Sequence, residues 1–367
     1  MNKKWGAAAV FCSALAFAAV LGGARGAGAP SAPTGVTGIA LDGQVELVWQ
    51  PVSGAATYTV YRGTSPTTLT ALHPGVTGTT YDDATAPNGT TEFYSVRAVD
   101  SGNAQSVDSL VVQATAQARA CGSGNAIHVE NCFPGSGGWR SVSADPVSAG
   151  GIEGYATASS INKSGSLDLK INGAAGATIR AEIYRSGYYG GNGGRLISTI
   201  RGIPGVAQPA CASDSTTGLL DCSNWSTSAT ITTTVSWTSG VYLVRLVRED
   251  TGSDSSVIFV VRDDGRASDL LYSVPMNTYE AYNSYGGKSL YDFNSTGGKA
   301  VKVSFNRPFA NPSAETSQCL SSLPIVVPAT RASSALTATR FVKSRDARRF
   351  SSTTSTPRSA ATTGAFT

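Results

Sequence analysis

Histidine is nearly absent from this chain: His73 and His128 are the two among 367 residues. Catalytic triads that use histidine as their base, and histidine-based zinc sites, therefore lack their material. The sequence also contains no GxSxG, HExxH or CxxC motif and no phosphate-binding P-loop. These absences exclude the common hydrolases, metalloproteases and nucleotide-binding proteins that carry those motifs.

Charge is also scarce, at 14% of residues, and its distribution is uneven. Residues 1–27 carry a net charge of +3 and residues 311–367 carry +5, which leaves −4 for the residues between them out of a total of +4. The central part of the chain therefore offers no basic surface of the kind that binds nucleic acid. We expect no nucleic-acid partner.

The beginning of the chain has the pattern of an export signal. Lys3 and Lys4 precede an apolar run that ends at Leu21, and small residues follow. The run is short for a membrane span and ends in glycines, so we predict that residues 1–29 are a cleaved signal peptide. The mature protein is then secreted, extracellular or periplasmic, with no membrane attachment.

Five cysteines remain after the predicted cleavage, and four of them form two pairs with identical spacing. Cys121 with Cys132, and Cys211 with Cys222, fit short disulfide loops made outside the cytoplasm. Each loop would add about 3 kcal/mol of stability if its geometry is unstrained. Unpaired thiols are the alternative, and Cys319 has no evident partner.

Short alternating segments make up most of the chain, which favours a mainly β fold. In residues 31–118 they include QVELVWQPV, ATYTVYRGT, TEFYSVRAV and DSLVVQATA, separated by turns such as APNG. This part resembles a fibronectin type III sandwich. Residues 119–125 are a predicted linker, and residues 126–262 contain further strand patterns, among them ATIRAEIYRSG and GVYLVRLVRE. They predict a second β-sandwich.

Tyrosine is concentrated in one stretch, Ser268–Phe293, which contains five of the fourteen. Phenol rings beside a Gly-Gly turn suit either the wall of a binding site or an aromatic core. The candidate ligand-binding residues, including two tyrosines beside an earlier glycine run, are Tyr188, Tyr189, Tyr279, Asn283 and Tyr285.

Six blocks follow one another from about residue 125 to 312, among them NAIHVENCFPGSGGW, AEIYRSGYYGGNGGRL, SGVYLVRLVRED and SDLLYSVPMNTYEAYNSYGG. In this order they resemble the N,N-dimethylformamidase large (beta) subunit-like family. The resemblance implies a sandwich followed by an α/β domain similar to glutamine amidotransferases, of which residues 263–312 would be the truncated start. It also implies, in the complete family member, an iron ion held by two tyrosines and a glutamate, oxygen ligands that suit ferric iron. By order and approximate spacing the resemblance places these two tyrosines at Tyr242 and Tyr282, with Tyr279 and Tyr285 as alternatives to Tyr282.

The composition changes abruptly after residue 312. Residues 313–367 contain one glycine, no tyrosine and many serines and threonines, and nothing in them predicts a packed α/β core. The glutamate ligand therefore has no counterpart. We expect either a frame-shifted segment or a disordered basic tail that binds acidic polymers.

Two functions follow from these patterns. The first is a secreted protein descended from amide hydrolases, whose family substrate is a small amide. In this chain we expect the catalytic domain to be truncated and inactive, with no iron bound. The second is a carbohydrate-binding or polysaccharide-degradation accessory protein, in which Tyr188, Tyr189 and Tyr285 stack on a polysaccharide or cell-surface glycan. Paired carboxylates for glycoside hydrolysis have three candidates, Glu153, Glu182 and Glu280.

Overall fold

A computed structural model describes residues 28–140, 151–268 and 272–310. Within these residues the chain forms seventeen β-strands and two short α-helices, which confirms the mainly β fold. The predicted signal peptide and the predicted tail lie outside the described residues. No helix in the described part is long and apolar enough to cross a lipid bilayer.

The first seven strands form a sandwich of two antiparallel sheets. The three-stranded sheet has the order β1-β2-β5, with β1 Thr37–Ala40, β2 Val45–Val48 and β5 Thr80–Asp83. The opposite strands have the order β4-β3-β6-β7, with β3 Thr57–Ser65, β4 Thr68–Val76, β6 Thr91–Val99 and β7 Val111–Thr115. Trp49 and Tyr94 are buried between the sheets, as expected for inward-facing aromatic residues of alternating strands.

The second sandwich follows the helix α1, Ala126–Asn131. Its smaller sheet has the order β15-β10-β8, with β8 Ile152–Ala156, β10 Ser166–Gly173 and β15 Ala229–Thr232. The larger part has the order β12-β11-β16-β17-β9, with β9 Ser160–Asn162, β11 Thr178–Ser186, β12 Gly194–Pro204, β16 Gly240–Arg248 and β17 Asp254–Arg262. Strand β10 alternates buried and half-buried residues, the pattern by which its sequence predicts a strand.

The two sandwiches are joined through their edge strands. β7 pairs antiparallel with β12, with Val112 opposite Ile200, so that β4-β3-β6-β7 and β12-β11-β16-β17-β9 form one nine-stranded sheet. Side chains add further bonds, since Gln50 Nε2 donates to Thr232 Oγ1 at 2.9 Å. The buried residues of both sandwiches consequently form one continuous core. Residues 119–125, the predicted linker, therefore separate the two sandwiches along the sequence, although the sandwiches are in direct contact in the fold.

Both predicted disulfides are present, Cys121–Cys132 and Cys211–Cys222. The first connects the segment before α1 to the residue that ends it. The second flanks a small hairpin made of β13, Ala212–Asp214, and β14, Leu219–Asp221. Cys222 is fully buried beside Tyr155 and Trp225.

A charged cluster lies buried where α1 meets the sheet. Glu130 Oε1 accepts hydrogen bonds from Arg195 Nη1 at 2.7 Å and from the Tyr189 hydroxyl at 2.8 Å. Arg195, which has no exposed surface, also donates to the Ala40 carbonyl of the first sandwich. Arg185 donates to the Tyr189 hydroxyl at 3.0 Å. The cluster therefore ties α1, β11, β12 and the first sandwich together.

Removing the carboxylate from this cluster should be costly, because Arg195 would keep its charge in a buried place without a counter-ion. We expect Glu130→Gln to lower the free energy of unfolding by about 3 kcal/mol, measured by urea denaturation. Arg97 and Asp108 form an exposed ion pair at 2.8 Å and provide the control. Arg97→Gln should cost less than about 1 kcal/mol, and an equal loss in both variants would contradict this account.

Candidate functional site at the Glu280–Arg307 pair

The tyrosine-rich stretch covers the outer face of the second sandwich. Strands β16 and β17 are buried on both faces: Tyr242 and Val244 point into the main core, whereas Val241 and Leu243 point outward. The outward side chains pack with residues of 272–310, among them Met276 of helix α2, Met276–Tyr282. Because an apolar sheet face must be covered, this stretch serves first as a cover for the sheet.

Arg307 organises the chain at the end of α2. Arg307 is 1% exposed, and its guanidinium donates to backbone carbonyls at the end of the short helix and in the following turn. Nη2 donates to the carbonyl oxygens of Glu280 at 3.0 Å and Asn283 at 2.9 Å, and Nη1 donates to that of Lys288 at 2.9 Å. Such carbonyls carry the negative end of the helix dipole, so a buried cation suits the place.

Glu280 lies beside this guanidinium and is 4% exposed. Its Oε2 is 3.7 Å from Arg307 Nε and accepts a hydrogen bond from Asn283 Nδ2 at 3.2 Å. The carboxyl faces a cavity of about 40 Å³ whose walls include Tyr155, Ile258, Met276 and Phe309. A carboxyl group and a guanidinium beside a largely apolar cavity form the best candidate site in the described residues.

Burial raises the pKa of Glu280 to about 7, although the Asn283 hydrogen bond and the Arg307 charge both act to lower it. A carboxyl group with that pKa exchanges its proton near neutral pH, which is the property of a general acid or base. The cavity is small, however, and limits any ligand to a few atoms. The arrangement can move a proton beside a small polar molecule.

A second carboxylate attaches the tyrosine-rich stretch to the sandwich. The Tyr285 hydroxyl donates to Glu153 Oε1 at 2.8 Å, and Asn172 Nδ2 donates to the same oxygen at 2.9 Å. Burial, and then the Glu153 charge, raise the pKa of Tyr285, so its phenol keeps its proton. The third predicted carboxylate, Glu182, forms ion pairs with Arg180 and Arg245 instead.

Three aromatic side chains form an exposed cluster at the edge of the stretch, which we call the aromatic cluster: Tyr282, Tyr291 and Phe293. The ring centroids of Tyr282 and Tyr291 are 4.3 Å apart, and Phe293 lies 5.6 Å from Tyr291. Phe293 is 75% exposed and Tyr282 is 45% exposed. Of the three, Tyr282 alone is a site residue predicted from the sequence, although all three lie in the same stretch.

The other predicted ligand-binding residues have different surroundings. Tyr188 is 38% exposed, but Tyr189 is buried, which corrects the expectation that both lie at the surface. The reason is that the Tyr189 hydroxyl bonds to Glu130 and Arg185. Asn283 is fully buried, and its Oδ1 accepts from the backbone N–H of Tyr285 and Ala310. Tyr279 is half-buried on α2.

The two tyrosines predicted as iron ligands do not share a site. Tyr242 is 1% exposed, packs against Trp237 and Phe259, and donates its hydroxyl to the Thr238 carbonyl at 2.7 Å. Tyr282, in contrast, belongs to the aromatic cluster on the surface. Burial raises the pKa of Tyr242 well above its usual value, with Arg185 opposing this effect and Glu130 adding to it. One side chain is enclosed in the core and the other lies at the surface, so the two oxygens do not converge on one position and this pair does not fit the ion.

Two tyrosines and a glutamate do lie near one another elsewhere, in the cluster of Tyr189, Tyr242 and Glu130. Two arginines occupy that cluster as well. Arg185 donates to Tyr189 and Arg195 donates to Glu130, so the oxygen atoms already have cationic partners. A trivalent ion would be repelled by both guanidinium groups. The described residues therefore bring the right ligand types together in a place that does not suit iron.

A family model described as "N,N-dimethylformamidase beta subunit-like, C-terminal" matches residues 180–345. This match supports the resemblance and differs from it in range. It begins later than residue 125 and continues beyond residue 312, the predicted end of the resemblance. The matched range is less than half of the chain.

One curated protein, an amylopullulanase from Thermoanaerobacterium saccharolyticum, is 36% identical over 73 residues, which are 20% of this chain and 6% of that protein. This chain thus spans a small fraction of that relative. A solved Fn3-like protein from Clostridium thermocellum is 27% identical, and the match covers 26% of this chain and 99% of that protein's chain, with a TM-score of 0.22. A β-1,2-glucanase from Parabacteroides distasonis is 26% identical, and the match covers 24% of this chain and 13% of the glucanase chain, with a TM-score of 0.23.

The raised pKa of Glu280 makes a testable link between pH and stability. Because its folded pKa of about 7 exceeds the usual 4.5, its neutral form stabilises the fold below about pH 4.5, and this contribution is lost as the pH rises through 7. Glu280→Gln mimics the neutral form at every pH. We expect wild type and variant to unfold in urea with similar free energies near pH 4, and the variant to be more stable near pH 8 by up to about 3 kcal/mol. A difference that does not change with pH would show that Glu280 does not titrate in this way.

Proposed function

We propose that this chain is a secreted relative of the N,N-dimethylformamidase beta subunit-like family, of metal-dependent amide hydrolase ancestry, and that it has no amidase activity of its own. The family match over residues 180–345 supports the relationship. The two disulfides agree with an extracellular location, because such bonds persist in oxidising compartments. A small amide is the substrate class that the ancestry implies.

The observation that carries the inactive assignment is the separation of the two candidate tyrosines. Tyr242 is enclosed in the core of β16 and β17, and Tyr282 lies in the exposed aromatic cluster. An amide-cleaving metal centre needs its ligands to converge on one open position. In addition, described residues 272–310 form α2 and two 3₁₀ turns without a strand, so they offer no sheet of an α/β domain.

The proposal is tested with the purified chain, loaded with ferric or ferrous iron and supplied with a small N-alkyl formamide. We expect no amine release above the rate of a protein-free control and no visible absorption from an iron–tyrosinate bond. Tyr242→Phe is the matched variant and should behave as the wild type does. Bound iron together with turnover that Tyr242→Phe abolishes would overturn the assignment.

The segment after residue 312 keeps two explanations, a frame-shifted segment or a disordered basic tail that binds acidic polymers. The family match extends to residue 345 in this reading frame, which counts against a frame shift at codon 313. The coding DNA provides the measurement. If another frame encodes a more family-like sequence from codon 313 onward, the frame shift is correct.

A second candidate function, carbohydrate binding, is favoured by the aromatic cluster. Exposed rings of Tyr282, Tyr291 and Phe293 offer apolar faces to solvent, and the C–H faces of sugar rings pack on such surfaces. The platform first expected, formed by Tyr188, Tyr189 and Tyr285, is not available because Tyr189 is buried and the Tyr285 hydroxyl is bonded to Glu153. The cluster replaces it as the proposed contact surface for a polysaccharide or cell-surface glycan.

This second function predicts retention of the chain on an insoluble polysaccharide in a pull-down assay. Replacing both Tyr291 and Phe293 by alanine should weaken retention by at least about thirtyfold, since the two stacked rings contribute about 1 kcal/mol or more each. Tyr188→Ala changes an exposed tyrosine outside the cluster and should have no effect. Equal retention of the double variant and the wild type would exclude the cluster as the binding surface.

A further inference from the structure

Helix α1 brings the one histidine of the second sandwich against the disulfide at its end. His128 Nε2 lies 3.5 Å from Cys121 Sγ and 3.9 Å from Cys132 Sγ. His128 is exposed and both cysteines are half-buried, so solutes can reach all three. We propose that Cys121, His128 and Cys132 form a metal site that opens when their disulfide is reduced, and that it takes a thiolate-preferring divalent ion such as Zn²⁺.

The distances suit a tetrahedral ion. With Zn–S bonds of about 2.3 Å and a Zn–N bond of about 2.0 Å, a sulfur and a nitrogen bound to one ion are about 3.5 Å apart. Both observed S···N separations are close to this value. The two sulfurs must part from covalent contact to about 3.8 Å, and the histidine need not move. The fourth position would be taken by water.

His128 is held in place independently of the disulfide. Its backbone N–H donates to the Asn125 side chain, which caps the start of α1, at 2.9 Å. A Cβ atom at Gly124 would lie 2.6 Å from His128 Cδ2, so the absence of a side chain there lets the ring pack against the backbone. Glu130, two residues further along α1, is fixed by Arg195 at 2.7 Å. Reduction therefore leaves the imidazole positioned beside the two thiols.

The metal site forms from the disulfide in two steps. A dithiol reductant transfers two electrons and two protons to the disulfide, which becomes two thiols as the reductant becomes a disulfide. The metal ion then binds both sulfurs as thiolates, and the two thiol protons pass to solvent. The disulfide and the metal site thus exclude one another, and a bound ion protects the thiols from reoxidation. Cys211 and Cys222 have the same spacing but no histidine between them.

The test uses the full mature chain carrying Cys319→Ser, reduced with a phosphine, and Co²⁺ as the probe because thiolate ligands give Co²⁺ strong near-ultraviolet absorption. We expect one Co²⁺ per chain with this absorption, displaced by Zn²⁺ and absent from the oxidised chain. His128→Gln should raise the dissociation constant at least about tenfold. A variant with both Cys121→Ser and Cys132→Ser should lose the absorption.

Four results would overturn the proposal. Three concern the titration: the absence of thiolate absorption in the reduced chain, equal affinity of the wild type and His128→Gln, and persistence of the absorption in the double serine variant. The last would assign the ion to Cys211 and Cys222. Far-ultraviolet circular dichroism of each reduced protein accompanies the titration, and loss of the native spectrum on reduction of the wild type would also refute a preformed site.

Discussion

The burial of β16 and β17 on both faces is the constraint on which the rest of the structure depends. A sheet with two apolar faces is stable only when something covers each of them. One face lies in the core shared by the two sandwiches. The other requires residues 272–310, which explains why aromatic and apolar side chains are concentrated there. Much of the tyrosine-rich stretch therefore covers the sheet. The functional candidates are the few side chains of the stretch that do not pack against it.

The sequence predicts the strands well because their alternation is local. QVELVWQPV, ATIRAEIYRSG and GVYLVRLVRE all contain the strands expected of them, and both disulfides follow from spacing alone. The pairing of β7 with β12 was beyond such patterns, since nothing in either strand specifies its partner across the linker. The sequence could not show, for the same reason, that two sandwiches share one core.

The candidate site was harder to predict than the fold, because burial decides the role of each polar residue. Tyr189 and Tyr188 are neighbours in the sequence, yet one is bonded inside the Glu130 cluster and the other is exposed. Arg307 is not among the predicted site residues, because its importance comes from carbonyl groups more than twenty residues earlier. The spacing of His128 and Cys132 was a usable signal, since residues four apart lie on one face of a helix, but only if the segment had been assigned as a helix.

The position of Arg307 also affects how the chain is made. Its guanidinium closes a turn whose carbonyl groups were synthesised well before it, at Glu280, Asn283 and Lys288. Until that residue is added, those three oxygens lack the donor that pairs them in the finished fold. A protease cut between Phe293 and Arg307 would leave this guanidinium held to those carbonyls by noncovalent contacts alone, whereas every described strand of the two sandwiches lies before the cut.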